Sequence, residues 1–195
     1  DIGSNAVDLS YSSSASTTNG ATGAASTAMG GGTTASGSRS TAMGGGTTAS
    51  GSRSTAMGSG TEASASYSTA MGFFTTASGI FSTAMGNVTT ASGAGSTAMG
   101  YNTEASGYYS TAMGFETTAS ASYSKAMGRN TTASDYGSLV IGQFNSSGSS
   151  ATSATSFNTA NTAFVIGNGL GQGVDASDAF SILFDGTTII AGSVT

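Results

Sequence analysis

One 14-residue unit is written eight times without a gap across residues 26–137. A period this strict leaves a chain few options besides a stack of coils, one unit per coil. The first two copies, residues 26–39 and 40–53, are both STAMGGGTTASGSR, and the last reads SKAMGRNTTASDYG. With places numbered one to fourteen, Ser, Ala, Met and Gly occupy places one, three, four and five in every copy, and Thr, Ala and Ser occupy places eight, ten and eleven. Every methionine of the protein stands at place four: Met29, Met43, Met57, Met71, Met85, Met99, Met113 and Met127.

Places six, seven, thirteen and fourteen vary freely. The first pair runs from Gly-Gly through Phe73-Phe74, Asn87-Val88, Tyr101-Asn102 and Phe115-Glu116 to Arg129-Asn130; the second includes Ser38-Arg39, Ile80-Phe81, Tyr108-Tyr109 and Tyr136-Gly137. Such places are turns. Place nine alternates Thr with Glu62 and Glu104, so it faces water, and its neighbours at eight and ten face the other way because side chains alternate along a strand. Each coil is therefore expected to hold two short strands and two turns. A helical reading fails, because the unit is rich in Gly, Ser and Thr and offers one Met per two heptads, which makes no coiled-coil seam.

The unit STAMGxxTTASGxx resembles the head repeat of trimeric autotransporter adhesins, the YadA-like head, whose coils carry a small-residue NSVAIG-type motif followed by a Ser/Thr-Ala-Ser-Gly half. Here Thr and Met stand where that motif has branched residues. The resemblance covers residues 26–137 closely and continues more loosely on both sides. It implies an all-β fold, a left-handed parallel β-roll (solenoid) of 14-residue coils in which three chains associate side by side as an obligate homotrimer. The same repeat occurs in tail and fibre proteins of bacterial and algal viruses.

Energetics point to association independently of the family. Burying a Met contributes roughly 1.5–3 kcal/mol, whereas fixing one backbone costs about 1–2 kcal/mol. Eight methionines in more than a hundred residues cannot hold the coils. Ladder hydrogen bonds, close-packed Ala and Gly, and burial against other chains have to supply the rest, so the isolated monomer is expected to be unfolded. A composition with 31 Gly and 7% charged residues would by itself suggest disorder. A disordered tract, however, has no use for Met and Ala returning at fixed places.

Outside the repeat, residues 1–25 read as an N-terminal cap. Residues 1–11 show no register, and a degenerate coil covers 12–25, where Ala21-Thr22-Gly23 falls one period before Ala35-Ser36-Gly37. The roll of residues 26–151 closes on a degenerate copy, 138–151, with the greasier Leu139-Val140-Ile141. Residues 152–195 are expected to form a loop and a neck-like β-hairpin region. There AFVIGNG repeats the LVIG idea, and Phe180–Phe184 and Thr187–Ile190 pair across a tight Asp185-Gly186 turn. The chain opens on Asp1 without an initiator Met or a signal-peptide pattern and stops in strand-like sequence, so it is expected to be a piece of a longer protein.

Several chemistries are excluded. A net charge of −5 with four basic residues cannot neutralise a row of phosphates, so no nucleic-acid partner is expected. No stretch approaches the length of an apolar membrane span. The chain has no His and no Cys, which removes Ser-His-Asp and Cys-His catalysis and thiolate or imidazole metal sites. Glu62, Glu104 and Glu116 lie at outward places and do not read as a glycosidase pair. Asn168, Asp175 and Asp178 in a Gly-rich stretch invite a calcium reading, but the nine-residue GGxGxD periodicity is missing and the segment reads first as a turn that tolerates Asp. The expectation is no enzyme, no cofactor and no metal.

The surface carries the functional signal. Tyr67, Phe73, Phe74, Phe81, Tyr101, Tyr108, Tyr109, Phe115, Tyr123 and Tyr136 all fall at the four turn places. Stacked coils set them as ridges that either meet sugar faces or a receptor, or stack on one another and shield a thin core. Thr34, Thr48, Thr76, Thr90, Thr118 and Thr132 at place nine suggest an ice-binding face, which Glu62 and Glu104 interrupt. The methionines read as core or trimer contacts, with Lys125 sharing the strand face of Met127. The reading is an extracellular homotrimeric adhesin or virion-fibre head, at a cell surface or on a virion. It attaches to a host or neighbouring cell, through a glycan or protein receptor, by the aromatic turns of copies three to eight. The Gly-Gly and Ser-Arg turns of copies one and two act as spacer. A purely structural fibre spacer is the alternative.

Overall fold

The computed structural model describes residues 2–11, 19–146 and 154–191, which divide into two compact units, Asp1–Gly95 and Ser96–Thr195. Each unit is a β-solenoid of 14-residue coils. Every copy folds as the periodicity requires: a five-residue strand on places two to six, a turn, a two-residue strand on places nine and ten, and a second turn, as in Thr41–Gly45 followed by Thr48–Ala49.

In the first unit Val7–Tyr11, Thr27–Gly31, Thr41–Gly45, Thr55–Ser59, Thr69–Phe73 and Thr83–Asn87 form one parallel sheet, with Ala on Ala and Met on Met from Thr27–Gly31 onward. The two-residue strands from Thr34–Ala35 to Thr90–Ala91 form the facing one. In the second unit Thr97–Tyr101, Thr111–Phe115, Lys125–Arg129, Leu139–Gln143 and Thr162–Asn168 are parallel and in register. Asp178–Leu183 and Thr188–Ile190 then add antiparallel to the same sheet.

The interior is made of the smallest side chains. Ala at places three and ten is completely buried in every copy, beside Ser at place one and Thr at place eight. Ser26, Ser54, Ser68, Ser124 and Ser138 donate from Oγ at 2.7 Å to the carbonyl three residues back, closing the turn before the long strand. The buried Oγ1 atoms of Thr47, Thr61, Thr75 and Thr89, and of Thr103, Thr117 and Thr131, find no hydrogen-bond partner among the described residues. At place five only glycine fits. Gly72 has φ +125°, and a Cβ there would stand 2.0 Å from the Gly86 carbonyl oxygen of the next coil.

Two expectations change and one open alternative closes. Residues 1–11 do have a register: Val7–Tyr11 pairs with Thr27–Gly31, placing Leu9 on Met29. The offset is 20 residues rather than 14, which hides it from a 14-residue frame. Of the degenerate coils, residues 12–18 and 147–151 lie outside the described residues, as do 192–195. Gly20 bridges Thr34, and Ala21 is buried at the place of Ala35. The methionines are not in the coil's core. They alternate outward from the buried Ala, with Met29 39% and Met113 38% exposed and the rest half-buried. Finally, the Asp185-Gly186 turn is a three-residue loop that includes Phe184. The Leu183 amide donates to the Thr187 carbonyl, and Gly186 sits at φ +88°.

Two places test this packing, glycine on the long strand and threonine inside. Gly72→Ala should cost at least about 3 kcal/mol, from left-handed strain plus the backbone clash. Gly45→Ala, where a Cβ meets nothing within 4 Å, should stay within about 0.5 kcal/mol. Thr75→Val replaces an unpaired buried hydroxyl by a methyl and should stabilise by about 1 kcal/mol, raising the midpoint of thermal unfolding by a few degrees. Thermal denaturation of the purified variants checks both.

Candidate functional site

The turns are where this fold places chemistry. Place fourteen holds a non-glycine residue in the left-handed region at Arg39, Arg53, Tyr67, Phe81, Tyr109 and Tyr123, with φ between 51° and 60°. Place seven does the same at Phe74, Val88, Asn102, Glu116 and Asn130. Bulky and β-branched residues resist this conformation, so each turn carries a cost that glycine, present at Gly32, Gly46 and Gly60, would remove. Backbone bonds hold the turns in register: the Tyr67 amide donates to the Ser52 carbonyl at 2.9 Å, and Phe74 to Ser59 at 2.9 Å.

In the first unit Tyr67 stacks on Phe81, with ring centres 4.9 Å apart and planes 21° apart. Arg53 donates to the Tyr67 hydroxyl, and its guanidinium carbon lies 5.1 Å from that ring's centre. At the other turn Phe73 and Phe74 meet edge to face at 4.4 Å.

The second unit repeats the pattern with different residues. Tyr101 stacks on Phe115 at 5.0 Å and 9°, and Arg129 lies over Phe115 and over the buried Phe144. Asn130 donates to Glu116 Oε2 at 2.6 Å beside them. The opposite turn gathers Tyr108, Tyr109, Tyr123 and Tyr136. Tyr109 and Tyr123 are parallel at 5.9 Å, with Tyr108 and Tyr136 set against them edgewise. The hydrogen bond between Tyr108 and Tyr109 pushes the Tyr108 phenol above its ordinary pKa, so it stays neutral at physiological pH.

The ridges thus stack on themselves and still stand open to solvent. Phe81 is 61% exposed and Tyr123 42%. Tyr67 has Phe81 against one ring and Arg53 at its hydroxyl and ring, and Phe115 lies between Tyr101 and Arg129. These rings offer edges and hydroxyls rather than bare faces. The arginine contacts and the left-handed turns are absent from any motif, although glycine at place seven of the first three copies hints at the backbone conformation.

Other candidates separate. Place-nine threonines are half-buried on the outer side of the short-strand sheet, and Glu62 and Glu104 project fully there. The oxygens of the calcium reading do different work. Asp178 accepts from the Ser146 amide at 2.9 Å and from its hydroxyl, and Asn168 accepts from Ser177 Oγ at 2.8 Å. Asp175 takes part through its backbone carbonyl, which accepts from the Leu170 amide. Among the described residues no three His, Cys, Asp or Glu stand together, and no helix is long and apolar enough to cross a membrane.

An open cleft in the second unit is lined by Asn130, Thr132, Phe144, Asn145, Ser146, Gln172, Gly173 and Ala176. Asn145 stands at place eight, where the copies have Thr. Its side-chain amide accepts from the Thr132 amide at 2.8 Å and donates to the Thr132 carbonyl at 3.0 Å, so a side chain ends the short-strand sheet.

A search of curated proteins finds no match. The model of the YadA head domain repeat matches residues 21–47, 49–75, 77–103, 105–124 and 119–145. Those matches cover more than half of the chain and follow the coils described above, and the chain belongs to the YadA head domain repeat family.

Proposed function

We propose that this chain is the head of an extracellular trimeric surface fibre, non-enzymatic, which attaches to a cell or extracellular surface through its turns. The observation that carries the reading is the strain at places seven and fourteen. A solenoid that needed only to extend could use glycine at both. This chain instead holds Tyr, Phe, Val and Arg there in the left-handed region and leaves them exposed, and backbone strain of this kind is retained where side chains serve a purpose. Family membership supports a left-handed roll and three chains.

The long-strand face supports association. Its outward columns are Thr at place two and Met at place four, half-buried and almost uncharged apart from Lys125. The outer side of the short-strand sheet carries Thr and Glu. Of the two sheet faces, only the Thr/Met one loses little by leaving water. Its 14-residue pattern is matched best by another copy of itself, in register. In this arrangement the methionines are trimer contacts, and the turns stay free at the edges to bind weakly many times, so that avidity replaces a deep pocket.

A second reading, a structural spacer, is favoured by the ring stacking, since rings that satisfy one another need no ligand. Two experiments separate the readings. Met71→Asp should convert a light-scattering mass of three chains into that of one, with loss of the β circular dichroism spectrum; an unchanged mass would remove the Thr/Met face from the assembly. Replacing Tyr101, Tyr108 and Tyr109 together by Ser should lower attachment to target cells by at least about tenfold with the trimer intact. Unaltered attachment would favour the spacer.

A further inference from the structure

The Ser-Arg turns of the first two copies, read above as spacer, carry a charge arrangement that a spacer does not need. Arg39 and Arg53 are two of the protein's four cationic residues, in a chain of net charge −5. They occupy place fourteen of consecutive coils, and both are exposed at φ 58° and 57°. The Arg53 amide donates to the Ser38 carbonyl at 2.8 Å, so the two turns are stacked in register, about 4.8 Å apart. Like charges set opposite each other on neighbouring strands are destabilising, and among the described residues no carboxylate relieves either one. Arg53 is held by the Tyr67 hydroxyl and ring, while the Arg39 guanidinium makes no hydrogen bond or ring contact among the described residues. One fork is thus pre-positioned beside the other.

We propose that Arg39 and Arg53 bind the sulfate or carboxylate groups of an acidic glycan. Two arginines whose backbones stand one strand spacing apart can bring two guanidinium forks to one such anion, the bidentate recognition it favours, and an anion between them cancels the repulsion. The same edge continues as Tyr67 and then Phe81, a phenol and a phenyl in the next two coils. The ligand therefore meets charge first and an amphipathic edge after it, as a charged saccharide with hydroxyls and apolar C–H patches does. A nucleic acid, with a phosphate at every step, finds only two adjacent cations here.

The test uses the whole 195-residue chain against immobilised dextran sulfate, polygalacturonate, unsulfated dextran and polyglutamate. Binding to at least one of the two acidic glycans is expected, with none to dextran and a loss as salt rises; which of the two binds tells sulfate from carboxylate. Arg39→Ser with Arg53→Ser should weaken it at least about tenfold without changing the light-scattering mass. Thr34→Glu with Thr132→Glu, at place nine where Glu62 and Glu104 already stand exposed, makes the same change in net charge and should weaken it less than about twofold. Equal losses in the two double variants, no binding to either acidic glycan, or equal binding to polyglutamate would each overturn the proposal. The Tyr101, Tyr108 and Tyr109 variant keeps both arginine turns and should retain glycan binding, so failure here and failure of the aromatic turns are told apart.

Discussion

Within each unit, a residue lies one strand spacing, about 4.8 Å, from its counterpart in the next coil. The in-register parallel ladder enforces this, and the rest of the structure depends on it. A substitution in one coil is felt by the coils on either side, because like stacks on like. Place five can only be glycine, since its Cβ would enter the neighbouring carbonyl. Place three can only be small, because a perimeter of fourteen residues encloses too little for more than Ala, Ser and Thr. Beyond the eight good copies the column takes larger residues: Val140 and Val165, both buried, follow Ala126 in it.

The same constraint explains how far the sequence could be read. Conserved spacing told strand from turn, and the charge at Glu62 and Glu104 told outside from inside, so the orientation of Thr33, Thr34 and Ala35 followed from alternation alone. Methionine left two places open, because the most apolar residue of the unit suits either the core or a contact between chains. The alternation that buries Ala28 at place three sends Met29 outward at place four. The interior is filled by residues that transfer scales rank low, and the most apolar one faces whatever covers the sheet.

Other features were hidden for definite reasons. Val7–Tyr11 joins the ladder across a 20-residue step, and a search at fixed period passes over it. Tyr, Phe, Val and Arg carry no signal for a left-handed backbone, so the strain at places seven and fourteen is a tertiary effect. It is imposed by the need to turn within two residues and return in register. Asn145 looks like one more polar residue in a fading copy, yet its amide takes the place of a backbone peptide and ends the second sheet.

Strain, stacking and charge at the turns bear on one another. A left-handed aromatic costs of order 1 kcal/mol, and an aromatic pair returns about 0.5–1.5 kcal/mol, so Tyr67 on Phe81 or Tyr109 on Tyr123, each a pair of left-handed residues, offsets part of the strain at its turns. Arg39 lacks that compensation, because it has the left-handed backbone, a like charge in the next coil and no ring of its own. The aromatic turns therefore explain themselves in part by stacking, and Arg53 by its contact with Tyr67, while Arg39 is the part of the edge whose cost nothing among the described residues offsets. A small, uncharged turn such as Ala94-Gly95 shows that the fold accepts a cheaper solution at the same places. In the proposed acidic-glycan contact the basic turns thus carry more than the rings do, although the rings dominate the surface.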